Sequence, residues 1–183
     1  MSPDSDLPAH PADLASPWDE LDADGTGLTV DDFLTTRISQ TINVLRRVVT
    51  LPYAQAAGLS VSEWRLLSYV AFARRIPFSE LVVLSTSDKA LVSRVVRQLE
   101  QRGLVATEAH GSTPRKKLTV VITDVGDELH EKVIPIARRS QAEMIRVMTV
   151  DERRGMYNGL QKLLAHALAK GPLGTESGTG SDA

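Results

Sequence analysis

The chain has 183 residues, 42% of them hydrophobic and 24% charged, with a formal net charge of −2 and no cysteine. That length suits one domain with a real core, and the lack of cysteine excludes disulfides, thiolate zinc sites and thiol redox sensing together. No run of 18 apolar residues predicts a membrane span, and Met1-Ser2-Pro3-Asp4 opens neither a basic region nor an apolar core, so a cytoplasmic protein without a signal peptide is expected.

Residues 1–30 are rich in Pro, Asp, Ser and Gly and poor in large apolar side chains, which predicts a disordered acidic segment. Inside it, Asp22 to Phe33 ("DADGTGLTVDDF") imitates a calcium loop, but Thr26 stands at loop position 5. Phe33 occupies position 12, where a bidentate carboxylate is required, so it reads as an acidic turn. A first helix is predicted from about Asp32 to Ala57, with Phe33, Ile38, Ile42, Leu45 and Val49 on one face and a break at Pro52. A second opens on the capping box Ser60-Val-Ser-Glu63, bracketed by Leu59 and Trp64 as a hydrophobic staple. A short third helix spans about Phe78–Leu84. A fourth runs from an Asp88 cap to about Arg102 and stops at Gly103.

Two β-branched, apolar segments follow, Leu104–Thr107 and Leu118–Ile122, punctuated by Gly111 and Pro114. They predict a hairpin with Arg115, Lys116 and Lys117 at its crest. A fifth helix is capped by Thr123 and reaches about Met148. A sixth opens on the capping box Thr149-Val-Asp-Glu152 and ends before Gly171. Residues 171–183 read as a second disordered tail. The expected fold is mainly α with a small β-hairpin wing. It is a winged helix-turn-helix over residues 31–170, with dimerisation helices at both ends (the first, fifth and sixth).

The net charge conceals a segregation. Residues 1–36 hold nine acids and no Lys or Arg, and residues 37–170 hold 21 bases against 12 acids, a formal +9. A basic body favours a polyanionic partner. On the fourth helix, Val92, Val95, Val96 and Leu99 form a core stripe, and Ala90, Ser93, Arg94, Arg97 and Gln101 take the opposite side. Small residues there permit close approach to a major groove, and Arg can fork to guanine O6 and N7. Ser85, Thr86, Ser87 and Lys89, at the start of that helix, are phosphate candidates. Such cations on an isolated helix would read as a solvated face; followed at once by a basic hairpin they read as a DNA-binding surface.

The segments "LSVSEWRLLSYV", "FSELVVLSTSDKALVSRVVRQLEQRGLV" and "LTVVITDVGDEL" resemble the MarR (multiple antibiotic resistance regulator) family of bacterial transcription factors over about residues 33–169. The resemblance implies a homodimer on double-stranded DNA, a near-palindromic operator and a repressor or activator role. It also implies a small-molecule effector held between the dimer helices and the winged lobe. The long terminal helices carry apolar residues a small lobe cannot cover, and Phe33, Ile38, Ile136, Met156, Leu160 and Leu164 are the expected dimer contacts. One departure stands in the wing: the family's Asp-x-Arg pattern is replaced by Pro114 and Lys116, which leaves Arg115 or Lys116 as the minor-groove cation.

Other signals are set aside. His10, His110, His130 and His166 form no short ligand spacing, so no metal or cofactor is expected. Thr86 to Lys89 ("TSDK") reads as a loop and cap rather than a nucleophile motif, Trp64 reads as core, and no acid–base pair suggests an enzyme. A winged helix serving as a protein-interaction module is the alternative to DNA readout.

Overall fold

The computed structural model describes residues 16–110 and 117–170. They fall into two units, one ending at Val48 and one beginning at Val49. The expected tail 171–183 and residues 1–15 lie outside the described residues.

In the first unit, residues 16–30 carry hydrogen-bonded turns. The Asp22 carboxylate closes a turn by accepting from the Thr26 backbone N–H and hydroxyl. The Trp18 indole donates to the Asp32 carbonyl at 2.8 Å. Asp32 accepts from the Thr29 hydroxyl (2.6 Å) and backbone N–H (3.2 Å), which hold its carboxyl below the usual range. These contacts lead into helix α1, Leu34–Leu45.

The first predicted helix is not one α-helix. Pro52 has no N–H for the carbonyl four residues back, and the path passes through a π-helical turn, Arg46–Thr50, before α2, Leu51–Ala56. Gly58 then takes φ +68°, and α3, Val61–Ala73, starts on the expected capping box. Ser60 N–H donates to Glu63 Oε2 at 2.8 Å and Glu63 N–H to Ser60 Oγ at 3.2 Å. Burial raises the Glu63 carboxyl, but the two Ser60 donors and the Arg102 guanidinium outweigh it and hold the carboxyl low. Leu59 and Trp64 are both buried, as a staple requires.

Helix α4 spans Phe78–Ser85 and α5 spans Lys89–Gln101. Three strands accompany them: β1, Arg75–Pro77, β2, Val105–His110, and β3, Lys117–Ile122. The expected hairpin is β2 with β3, registered Val105 to Ile122 and Thr107 to Val120. β1 was not expected. It pairs antiparallel with the other edge of β3, Ile76 opposite Val120, giving the order β1-β3-β2. Its residues satisfy long-range pairing rather than local propensity, and Pro77 is tolerated at an edge.

The core of this unit is Leu67, Val70, Leu81, Leu99, Val105 and Val120, all below 2% exposed. The Trp64 ring meets Tyr53 of α2 edge-on, centroids 5.7 Å apart, and stacks on His130 at 5.6 Å. His130 belongs to α6, Asp124–Arg146, whose Thr123 cap accepts from Gly126 N–H at 3.0 Å. Helix α7, Val150–Lys170, begins on the second capping box, with Thr149 N–H 2.6 Å from Glu152 Oε2. Arg153 reaches back to the Ile145 and Arg146 carbonyls at 3.0 and 3.2 Å and satisfies the end of α6. No described helix is long and apolar enough to cross a membrane.

The first turn of α6 packs backbone to backbone against the start of β2. A Cβ on Gly126 would stand 1.9 Å from the Leu104 carbonyl oxygen and 2.8 Å from Ile122 Cδ1. Gly126→Ala should therefore destabilise by about 3 kcal/mol or more, since neither carbonyl nor helix can yield cheaply. Urea unfolding of the variant against the parent measures this.

Candidate nucleic-acid interface

The interface is built on α5. Its sequence alternates so that Val92, Val95, Val96 and Leu99 are at most 3% exposed. Lys89, Ala90, Arg94, Arg97 and Gln101 stand on the solvent side, with Ser93 half-buried. Asp88 caps the helix by accepting from Leu91 N–H at 2.8 Å. Asp88, Ala90, Leu91, Arg94 and Arg97 line an open depression on this face. Arg97 lies along the helix, its Nε 3.3 Å from the Ser93 carbonyl and its Nη2 3.4 Å from Ser93 Oγ. Arg94 makes no hydrogen bond or ion pair among the described residues, so its guanidinium is available to a partner.

The far end of α5 is tied to the sheet. Gly103 takes φ +67°, and Leu104 N–H returns to the Leu99 carbonyl at 2.9 Å, a Schellman closure. Glu100 accepts from Thr107 of β2 through its backbone N–H (3.1 Å) and hydroxyl (2.5 Å). Arg102 reaches Glu63 of α3 at 3.2 Å. These contacts hold β2 against α5, so a wing contact and a groove contact would share one rigid frame. Arg115 and Lys116 lie outside the described residues, and Lys117 opens β3.

The turn before α5 departs from the expectation for Ser85. That residue is 2% exposed, and its hydroxyl donates inward to the Val82 carbonyl at 3.0 Å. Its oxygen also receives Ser87 N–H at 3.3 Å. Ser85 thus orders the turn and offers no hydroxyl to phosphate. Thr86 is exposed, and Ser87 is half-buried.

Arg65 of α3 was not singled out, because between Trp64 and Leu66 it reads as an ordinary solvent cation. The structure places its Nη2 3.2 Å from the Ser85 carbonyl, bracing the turn from behind. The signal is purely tertiary. Among the described residues no cluster of His, Asp and Glu could hold a metal ion.

The expected dimer contacts are all surface residues. Phe33 and Ile38 are exposed in the first unit; Ile136, Met156, Leu160 and Leu164 are exposed in the second. Helix α7 has no buried residue over 21 positions. Ile145, Met148, Met156, Tyr157 and Leu160 line an apolar groove at the α6–α7 junction.

The model of the MarR family matches residues 57–115, which run from the end of α2 through β2. An uncharacterized HTH-type transcriptional regulator, YdgJ, of Bacillus subtilis (strain 168) is 29% identical over 119 residues, 65% of this chain and 72% of the relative. A MarR/EmrR family transcriptional regulator from Acinetobacter sp. ADP1 superposes with a TM-score of 0.68 at 24% identity, over 76% of this chain and 98% of that one. A mutant MarR from E. coli, solved in complex with operator DNA, superposes with a TM-score of 0.65 at 18% identity, over 75% and 99% of the two chains. At those identities the two structures establish likeness of fold.

Thr86 sits in the left-handed region, φ 50° and ψ 28°, where a β-branched residue is strained by about 1–2 kcal/mol. Thr86→Gly removes that strain at the expense of glycine's greater chain entropy. A net stabilisation of roughly 0.5–1 kcal/mol is expected, read as a rise in the urea midpoint at unchanged slope.

Proposed function

We propose that the chain is a member of the MarR family, acting as a homodimeric, sequence-specific DNA-binding regulator. In this reading it is a repressor on a near-palindromic operator, with α5 in the major groove and the wing on the adjacent backbone or minor groove. The observation that carries it is the outer face of α5. Small residues near its N-terminus allow close approach, exposed Arg94 and Arg97 follow, and the inner face is locked into the core. The E. coli relative, solved in complex with operator DNA, supports DNA as the partner of a fold of this kind. Residues 37–170, at formal +9, supply the polyanion attraction.

Dimerisation belongs to the proposal because the second unit is incomplete alone. Helix α7 keeps Leu160, Leu163, Leu164 and Leu168 in solvent, and exposed Ile136 and Ile145 of α6 add to this surface. Apolar surface in that quantity marks an interface. An isologous dimer would cover it and set the two α5 helices about 10 base pairs apart. Leu160→Asp or Leu164→Asp should shift sedimentation toward monomer at micromolar concentration and weaken DNA binding in parallel. Response to a small-molecule effector is part of the same proposal, on the resemblance alone.

The test starts with selection of bound sequences from a random DNA pool by the purified full chain. Arg94→Ala and Arg97→Ala should leave folding intact, since both side chains face solvent. If either forks to a guanine, its loss costs about 1–3 kcal/mol on the selected sequence and relaxes one base position. Binding to selected and scrambled DNA at two salt concentrations gives the specific-to-nonspecific ratio. A ratio unchanged in both variants would remove α5 as the reading element, and a flat salt dependence would favour a protein partner instead.

A further inference from the structure

Three donors converge on one acceptor at the turn between α4 and α5. The Ser85 carbonyl oxygen receives Arg65 Nη2 at 3.2 Å, Thr86 Oγ1 at 2.8 Å and Ser87 Oγ at 3.1 Å. A carbonyl oxygen has two lone pairs, so this one is over-subscribed. The three donors are not equivalent in position. Arg65 and Ser87 line a small cavity behind the turn, together with Ser62 and Ser85. Thr86 is absent from that lining and exposed.

We propose that Arg65 is a positioning residue that releases the Thr86 hydroxyl for a DNA phosphate. The proposal rests on the reading of α5 as the groove-facing element. With Arg65 and Ser87 filling both lone pairs from inside, the Thr86 hydroxyl can rotate outward without emptying either of them. Without Arg65 only Ser87 remains on the carbonyl, so its second lone pair keeps the Thr86 hydroxyl, which is then less free to reach a phosphate. The strained conformation of Thr86 fits this arrangement. It sets a hydroxyl-bearing side chain at the one turn position where glycine would be easier. Arg65 itself never touches DNA; it acts through the carbonyl.

The experiment is a double-mutant cycle on the full chain, measured by fluorescence anisotropy with the DNA selected above, at several salt concentrations. Thr86→Val removes the hydroxyl at constant shape and should weaken binding roughly 2- to 12-fold per lobe, the span of a single hydrogen bond. Arg65→Met should produce a loss in the same range. In the Arg65→Met background, Thr86→Val should then cost less than about twofold, within the limit of additivity for independent sites. Arg65→Lys keeps a donor for the carbonyl and should restore the full Thr86→Val effect. Thr86→Gly, expected to be more stable than the parent, should still bind DNA more weakly, which separates the effect from misfolding. Throughout, the salt slope of Arg65→Met should match the parent, because no phosphate charge is lost.

Equal Thr86→Val losses in both backgrounds would overturn the proposal. So would a salt slope reduced by about 0.9 in Arg65→Met, which would place Arg65 on a phosphate. A parent chain without salt-dependent DNA binding would instead overturn the reading of α5, a result visible before any variant is made.

Discussion

The peptide from Gly103 to Leu104 is the constraint on which the second unit depends. Only a residue at ease with φ +67° lets α5 end there and turn at once into β2. The Gly103 carbonyl then accepts from the Thr123 hydroxyl at 2.6 Å, and the Leu104 carbonyl from Thr123 N–H at 3.3 Å. Thr123 is also the cap of α6. One short stretch of backbone therefore joins the end of α5, the root of the β2–β3 hairpin and the first turn of α6. Gly126 is bare because that junction leaves no room for a Cβ. Any motion of α6 at this end is felt directly by α5, since no flexible linker separates them.

Electrostatics follows the same economy. Basic residues gather in the body of the chain and acids at its ends. Within the body, cations not meant for solvent are neutralised locally: Arg74 with Asp127 at 2.5 Å, Arg75 with Glu108 at 2.6 Å, Arg102 with Glu63. The Arg74 guanidinium holds the Asp127 carboxyl below its usual range. Arg94 is left outside this pairing. The contrast between paired framework cations and an unpaired one on α5 is what a surface awaiting a polyanion requires.

The apolar surface is divided just as sharply. Leu67, Val70, Leu81 and Leu99 are sealed in the winged lobe, whereas α7 seals nothing. A helix with no buried residue over 21 positions lacks the packing that normally stabilises helices in proteins. Local devices compensate only at its start, through the Thr149–Glu152 box and Arg153.

The amino-acid sequence by itself determined what is local. The Ser60–Glu63 and Thr149–Glu152 boxes, the Asp88 and Thr123 caps, the stop at Gly103 and the Val92/Val96/Leu99 stripe all act within a few residues, and each is present. The outer face of α5 was legible for the same reason, because burying one side of a helix exposes the other. Tertiary structure decided the rest. β1 exists only because β3 offers an edge, and three residues ending in proline carry no strand signal of their own. Ser85 looked like a phosphate donor until packing turned it inward. Arg65 acquired its role from a carbonyl 20 residues away. Periodicity and capping are written along the chain, but the partner of a side chain across a core depends on how elements pack, and no spacing rule within one element encodes that.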